Sequence, residues 1–220
     1  MKITALVAVR SGSQRVKNKN IRSFADSNLL EIKLNQLKRI PEIDEIVVNS
    51  NDTDMLEIAK KNGCKTVLRE PYFASNEVSM SEVYKNMAEN IDAEVIAYIN
   101  VTNPLIKDKT ISDAIKEYKK NIGKYDSLNS AHLIKEFLFK ENKPINYDLK
   151  FQPRSQDLPD IAALNFAVNI ISKDKMIECK NVVGNNPNIF LIDEVEATDI
   201  DNQIDFDFAE YVYKKLYLFE

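Results

Sequence analysis

Four short apolar runs, Ile3 to Val9, Glu45 to Asn49, Thr66 to Leu68 and Glu94 to Ile99, are each followed by a segment whose apolar residues recur at helical spacing. This alternation narrows the choice of fold more than anything else in the chain. Strands separated by helices become parallel neighbours joined by crossovers, and repeated units of that kind wind into one sheet with helices on both faces. Leu29, Leu30, Ile32, Leu34, Leu37 and Ile40 mark the first helical face; Asp54 to Lys61, Met80 to Asn90 and Thr110 to Lys119 give the next three helices. The expected fold is α/β, a Rossmann-like, doubly wound, mostly parallel sheet. From Asp126 to about Asn188 the alternation loosens, with "SLNSAHLI" and "LNFAVNIIS" reading as strands around a polar, proline-bearing stretch. Residues 130–170 are therefore expected to form a small inserted lobe or dimer arm within a single domain of 1–220. The chain closes with a strand, an acidic turn and an amphipathic helix.

In an open parallel sheet, ligands collect beyond the carboxyl ends of the strands, and the loop after the first strand is the usual place for a nucleotide. Here that loop reads "RSGSQRVKNKN", with Arg10, Arg15, Lys17, Lys19 and, just beyond, Arg22. Gly12 between Ser11 and Ser13 lets successive backbone N–H groups converge on one point, and Arg10 and Lys19 add charge for phosphate oxygens. The loop is neither GxGxxG nor GxxxxGK[ST], so on its residues alone it is a phosphate cradle or a solvated basic loop.

Near the other end, "ATDIDNQIDF" sets Asp199 and Asp201 two apart at the expected end of a strand, where alternation sends both side chains the same way. Paired carboxylates suit Mg²⁺, which is held by one or two carboxylates plus substrate phosphates. The same residues would also serve as caps of the final helix, since Asp and Asn satisfy free N–H groups at a helix start. The residues alone leave both readings open.

Composition excludes other functions. A formal net charge of −4 with charges of both signs interspersed offers no broad basic face for nucleic acid. No apolar run approaches the roughly 20 residues of a membrane span. Cys64 and Cys179, without a CxxC spacing, are expected as reduced thiols, and the chain opens on a strand rather than a cleavable leader, so a cytoplasmic protein is expected.

The residues then carry a resemblance. "ALVAVRSGSQRVKNKNI" is similar to the opening of the acylneuraminate cytidylyltransferase family, enzymes of the nucleotide-diphospho-sugar transferase type that activate sialic-type nonulosonic acids as CMP conjugates. "IDEIVVNSND", "VLRE", "VTNPL", "QDLP", "LNFAVNII" and "ATDIDNQIDFDFAE" resemble further stretches of that family in order and spacing, from Ile3 to about Glu210. The resemblance also covers the sister enzymes that act on the eight-carbon sugar Kdo. It implies that Arg10, Ser13 and Lys19, with Ser11, Gly12 and Gln14 of the same loop, hold the triphosphate of CTP. Asn20 and Asn100 would face the nucleotide, and Arg69 and Ser81 the cytosine. Lys135, Arg154, Gln156 and Asn165 would meet the sugar, and Asp199 and Asp201 would hold Mg²⁺. Arg10, Lys19 and Asp199 would carry the catalysis, and the family's arm implies a homodimer. A bland reading of Arg69 is an ion pair with a carboxylate on a neighbouring loop.

Departures from the family pattern fall around base and sugar. Gln14 stands for lysine, Asn100 for glutamine, Ser155 for arginine and Phe166 for the glycine after Asn165. Arg154 lies one residue from the missing arginine, and in an extended segment such a shift turns the side chain to the opposite face. The expected reaction is attack of the anomeric hydroxyl on the α-phosphate of CTP with loss of pyrophosphate, the work being mostly placement and electrostatics. The single histidine, His132, lies in an apolar strand and reads as structural rather than catalytic. A Kdo cytidylyltransferase and a nucleotide-binding homologue of impaired turnover are the alternatives.

Overall fold

The computed structural model describes residues 1–13 and 15–217. Seven strands form the main sheet: β1 (Ile3–Ala8), β4 (Glu45–Ser50), β5 (Lys65–Leu68), β6 (Val95–Ile99), β7 (Ser127–Ile134), β10 (Ile161–Ser172) and β11 (Pro187–Leu191), in the order β11-β7-β10-β6-β1-β4-β5. Two small hairpins complete the strands, β2 (Ser23–Phe24) with β3 (Ser27–Asn28), and β8 (Phe139–Lys140) with β9 (Lys143–Pro144). The helices are α1 (Leu29–Lys38), α2 (Thr53–Lys61), α3 (Pro71–Ala74), α4 (Met80–Glu89), α5 (Asp108–Lys120), α6 (Lys173–Cys179) and α7 (Gln203–Tyr217).

Strand β1 lies between two parallel partners, with Leu6 level with Val47 of β4 on one side and Tyr98 of β6 on the other. β5 and β11 are also parallel to their neighbours, and β10 alone runs antiparallel, against both β6 and β7. The sheet is thus doubly wound and mostly parallel, as expected. The buried runs explain why: β6 is covered on both faces and is a continuous apolar string, "VIAYI", which suits a central parallel strand. Helix starts are written locally. Asn28 accepts a hydrogen bond from Glu31 N at 2.9 Å, Asp52 from Met55 N at 3.1 Å and Ser79 from Glu82 N at 3.3 Å, each satisfying an otherwise free donor.

The order of the strands matters for the site. After β1 the chain moves to β4 and β5 on one side, then crosses to β6 on the other. Loops leaving β1 and β6 therefore part in opposite directions and open a crevice at their carboxyl ends. Of residues 130–170, Ser130 to Ile134 and Ile161 to Ile170 belong to β7 and β10, and residues 135–160 run between them with the β8–β9 hairpin.

Candidate active site

Two chambers open at that crevice and share Ala8, Val9 and Arg10. The first, about 360 Å³, is walled by Gly12, Ser13, Arg15, Val16, Lys19 and Asn20 after β1, by Asn100, Val101 and Thr102 after β6, and by Asp201. Buried Val16 anchors the loop, and Gly12 takes φ +83°, a left-handed conformation that glycine adopts without Cβ strain. Ser11 is turned to Asn51, which receives its N–H at 3.2 Å and donates to its hydroxyl at 2.9 Å. Asn20 is buried and donates to Arg10 O at 3.2 Å, so it braces the turn as well as lining the chamber. Gln14, expected in this loop, lies outside the described residues.

The basic loop faces the acidic segment directly. Arg15 Nη2 donates to Asp201 Oδ1 at 2.7 Å, and Lys19 Nζ donates to Ile200 O, between the two aspartates. Burial pulls the Lys19 ammonium down from its ordinary pKa, opposed by the charges of Asp199 and Asp201. Asp199 has its tip open to solvent, yet crowding by the surrounding protein, together with repulsion from Asp201, pushes its carboxyl up from the ordinary value; the Thr102 side chain opposes the shift. Arg15 belongs to this constellation, a role beyond its place among the loop's charges. Its partner lies 186 residues away, so no local spacing signals the pair.

Two sequence expectations change here. Asp199 and Asp201 do not end a strand: β11 stops at Leu191, and the following backbone turns, with Ala197 N bonded to Asp193 O at 2.9 Å, before Ile200 N docks on Thr102 O at 2.9 Å. The run between has too few apolar residues to alternate. Both aspartates still share a side, because Ile200 between them is fully buried while its neighbours are exposed. The capping alternative also resolves. Asn202 accepts from Asp205 N at 3.1 Å, and Asp205 accepts from Asn202 N at 2.9 Å and Asp201 N at 2.8 Å. Asn202 and Asp205 thus cap α7; Asp201 lines the polar chamber, and Asp199, two residues before it, does not.

The second chamber, about 380 Å³, differs in chemistry: Phe73, Val78, Met80, Val83, Met87 and Tyr98 line it around Arg69. Arg69 is only 6% exposed, and burial lowers its pKa. Its Nε donates to Asn49 Oδ1 at 2.6 Å and its Nη2 to Asn49 O at 3.1 Å. The ion-pair reading is not what the structure shows: those partners are neutral, and Nη1 makes no hydrogen bond among the described residues. A guanidinium with one edge fixed inside an apolar slot suits the edge of a planar base. Between the chambers Arg10 is held by the end of α3 and the loop after it, donating to Ala74 O at 2.8 Å and Asn76 Oδ1 at 3.1 Å. Ser81 lies exposed in the first turn of α4, beside Met80, and does not line the chamber.

The residues expected at the sugar lie elsewhere. Lys135 donates to Leu158 O at 2.6 Å and pairs with Asp160 at 2.5 Å; Arg154 pairs with Asp157 at 2.7 Å; Gln156 is exposed on a short 3₁₀ turn, Ser155–Asp157. Asn165 is buried at a bulge of β10, accepting from Ser130 Oγ at 2.6 Å, with its Nδ2 unpartnered. None of the four lines either chamber. The next residue, Phe166, has φ +56°, so this chain keeps a backbone conformation that suits glycine while carrying a phenyl ring. His132, half-buried in β7 opposite Ala163, stands apart from both chambers.

A crevice at the strand-order switch, one polar chamber of cations and carboxylates and one apolar chamber around a fixed guanidinium together describe a nucleotide site. Residues 4–150 match a family model described as cytidylyltransferase. The chain belongs to the cytidylyltransferase family. Among its relatives, it is 25% identical to the pseudaminic acid cytidylyltransferase of Campylobacter jejuni, covering 97% of each chain. It is 24% identical to an N-acylneuraminate cytidylyltransferase of Escherichia coli, over 97% of this chain and 52% of that one. A solved structure of CMP:2-keto-3-deoxy-manno-octonic acid synthetase complexed with CTP superposes with TM-score 0.71 at 8% identity, over 98% of this chain and 100% of the other, a likeness of fold. As a cytidylyltransferase the chain is a nucleotidyltransferase. No helix among the described residues is long and apolar enough to cross a membrane.

Proposed function

We propose that this cytidylyltransferase moves CMP from CTP to a nonulosonic acid and releases pyrophosphate. The observation that carries the reading is the pairing of chambers across Arg10: a phosphate-sized polar chamber with Arg15, Lys19 and Asp201, joined to an apolar one that presents Arg69. The base would lie against Arg69 and the phosphates against Arg10, Ser13, Arg15 and Lys19. The attacking anomeric oxygen forms the new P–O bond at the α-phosphorus as the bond to the β-phosphate oxygen breaks; its proton passes to solvent and pyrophosphate carries the electron pair away. This chain's contribution is to hold the phosphates in line and to offset their charge. Relatives named for pseudaminic and neuraminic acids that match nearly this whole chain support a nonulosonic acceptor over Kdo.

Asp199 and Asp201 are the residues that would hold Mg²⁺. Their chemistry fits: two hard oxygen donors close enough to repel one another. Such a sparse set suits an ion that takes its remaining ligands from phosphate and water. When bound, Mg²⁺ would neutralise charge on the phosphates.

A homodimer through residues 135–160 is supported by Phe139, Ile145, Leu149 and Phe151, all more than half exposed. Free thiols at Cys64 and Cys179 support a cytoplasmic location. The test is mass detection of CMP conjugates from CTP, Mg²⁺ and a panel of nonulosonic acids and Kdo. Product with a nonulosonic acid supports the reading, product with Kdo alone replaces it with the sister activity, and CTP-dependent thermal stabilisation without product with any acid shows a nucleotide binder.

A further inference from the structure

Lys33 on α1 is completely buried, yet among the described residues its ammonium contacts no carboxylate. Its two hydrogen bonds go to neutral oxygens, Gln36 Oε1 at 2.7 Å and Asn103 O at 3.1 Å. The backbone oxygen belongs to the loop after β6 that forms one wall of the phosphate chamber. Gln36 grips the same loop at its far end, donating to Ile106 O at 2.6 Å. Asn103 in turn reaches the acidic segment: its Nδ2 donates to Ala197 O at 3.3 Å and Thr198 O at 3.1 Å. The neighbouring Thr102 supplies its carbonyl to Ile200 N at 2.9 Å, the residue next to Asp199. A continuous chain of contacts thus runs from Lys33 through Asn103 and Thr102 to Thr198 and Ile200, the residues on either side of Asp199.

We propose that Lys33 is a positioning residue for nucleotidyl transfer, its buried ammonium holding the loop after β6 so that Thr102 and Asp199 face the phosphates of CTP. The inference rests on the reading of the cleft given above. A core position of this size filled by Met or Leu among apolar partners would carry no desolvation cost, and replacing a buried charge together with its partners by apolar groups is often neutral or stabilising. A charge kept there in spite of that cost points to work outside the core. Burial pulls the Lys33 ammonium down to about 7. The charged groups facing it are Asp108 at the start of α5 and Arg39 after α1, which pair with each other at 2.7 Å; beyond the loop stand Glu196, paired with Lys107 at 3.0 Å, and Asp199. The charge-assisted grip on Asn103 O is thus present below about pH 7 and weakens above it.

The experiment compares the full chain with Lys33→Met and Lys33→Gln. Melting temperatures are taken with CTP alone and with CTP plus Mg²⁺, and initial rates of pyrophosphate release on both sides of pH 7. Lys33→Met sheds the desolvation cost of the ammonium but strands Gln36 Oε1 and Asn103 O, so its melting temperature is expected to stay within a few degrees of wild type. Its kcat drops roughly 10–100-fold while KM for CTP changes much less, as for lost support of a ligating group. The extra rise in melting temperature that Mg²⁺ gives over CTP alone shrinks. The wild-type to Lys33→Met rate ratio falls as pH rises past 7, a comparison in which the titration of CTP itself cancels. Lys33→Gln keeps an amide donor toward Asn103 and is expected to fall between the two in rate.

A Lys33→Met variant with wild-type rate and Mg²⁺ response overturns the proposal, as does one that loses rate and melting temperature together with a ratio independent of pH. If Lys33→Met does not fold, the ratio is taken against Lys33→Gln, and a constant ratio overturns the role. Wild type without any CTP-dependent stabilisation defeats the cytidylyltransfer reading and the Lys33 role with it. An active wild type beside an unaffected variant defeats the Lys33 role alone.

Discussion

The two chambers on either side of Arg10 hold their cations in different ways. In the polar chamber Arg15 is exposed and Lys19 half-buried, and both rest on the acidic segment. In the apolar chamber, beyond the shared Arg10, the Arg69 guanidinium is locked in place by Asn49. The first arrangement exchanges partners cheaply, because charges near water gain little from a given pairing. The second is preorganised, and the fold depends on it, since a buried acceptor left without its donor is costly. Substitutions in the polar chamber should therefore remove function and spare stability, whereas those in the apolar chamber should affect both.

The largest effect expected is on turnover. Lys19→Ala and Asp199→Asn should each lower the rate of CMP transfer by roughly 10²–10³-fold, the scale of losing one group that stabilises charge in the transition state. Melting temperatures should hold or rise at neutral pH. The Asp199 carboxyl is pushed up, so the folded chain binds a proton more readily than the unfolded one, and this residue costs stability as pH rises above the ordinary carboxylate range. The Lys19 ammonium is pulled down, so it costs stability below its folded pKa. A fall in stability as large as the fall in rate would erase the contrast between chambers.

Arg69→Met tests the other side. It strands Asn49 Oδ1 in the core, so a loss of about 1–3 kcal/mol is expected by denaturant titration. The preference for CTP over UTP, measured as a ratio of kcat/KM, should relax at the same time. Unchanged stability would place Arg69 with the loosely held cations.

The link behind the polar chamber has its own pH signature. Between about 7 and 10.5 the unfolded chain keeps the Lys33 proton that the folded chain gives up, so Lys33 makes stability rise with pH across that window. Lys33→Met should flatten that part of the curve. Equal slopes in the two proteins would mean that the ammonium is not held in the core as the structure has it.

Arg154→Ala should do least. Its exposed partner Asp157 is three residues away, and such pairs are worth less than about 0.5 kcal/mol. With no place in either chamber, its loss should leave CTP affinity by calorimetry within about twofold. A larger drop would extend the nucleotide site into residues 135–160.

Much of this was legible in the sequence because it is written locally. "SLNSAHLI" is β7 residue for residue, and the first-strand loop does wall the polar chamber. Helix α1 shows where local reading stops. Spacing put Ile32 on the buried face, yet Ile32 is only partly buried, whereas Lys33 is completely so. No periodicity rule places a lysine in a core, since the reason is an oxygen 70 residues on. The acidic pair shows the same limit: residue types suggested either a cap or a metal site, and only the hydrogen bonds of Asn202 and Asp205 free Asp199 and Asp201 from capping.

By itself the sequence determined the alternating elements, several helix starts and the place of the basic loop after the first strand, since apolar period, side-chain caps and turn residues act over a few positions. Tertiary structure decided which charges meet. Arg15 finds Asp201 across 186 residues, Lys33 finds Asn103 across 70, and the expected sugar cations Lys135 and Arg154 turn to Asp160 and Asp157 instead of the cleft. Long side chains take whichever partner the packed backbone brings within about 3 Å, and that depends on strand order and loop path.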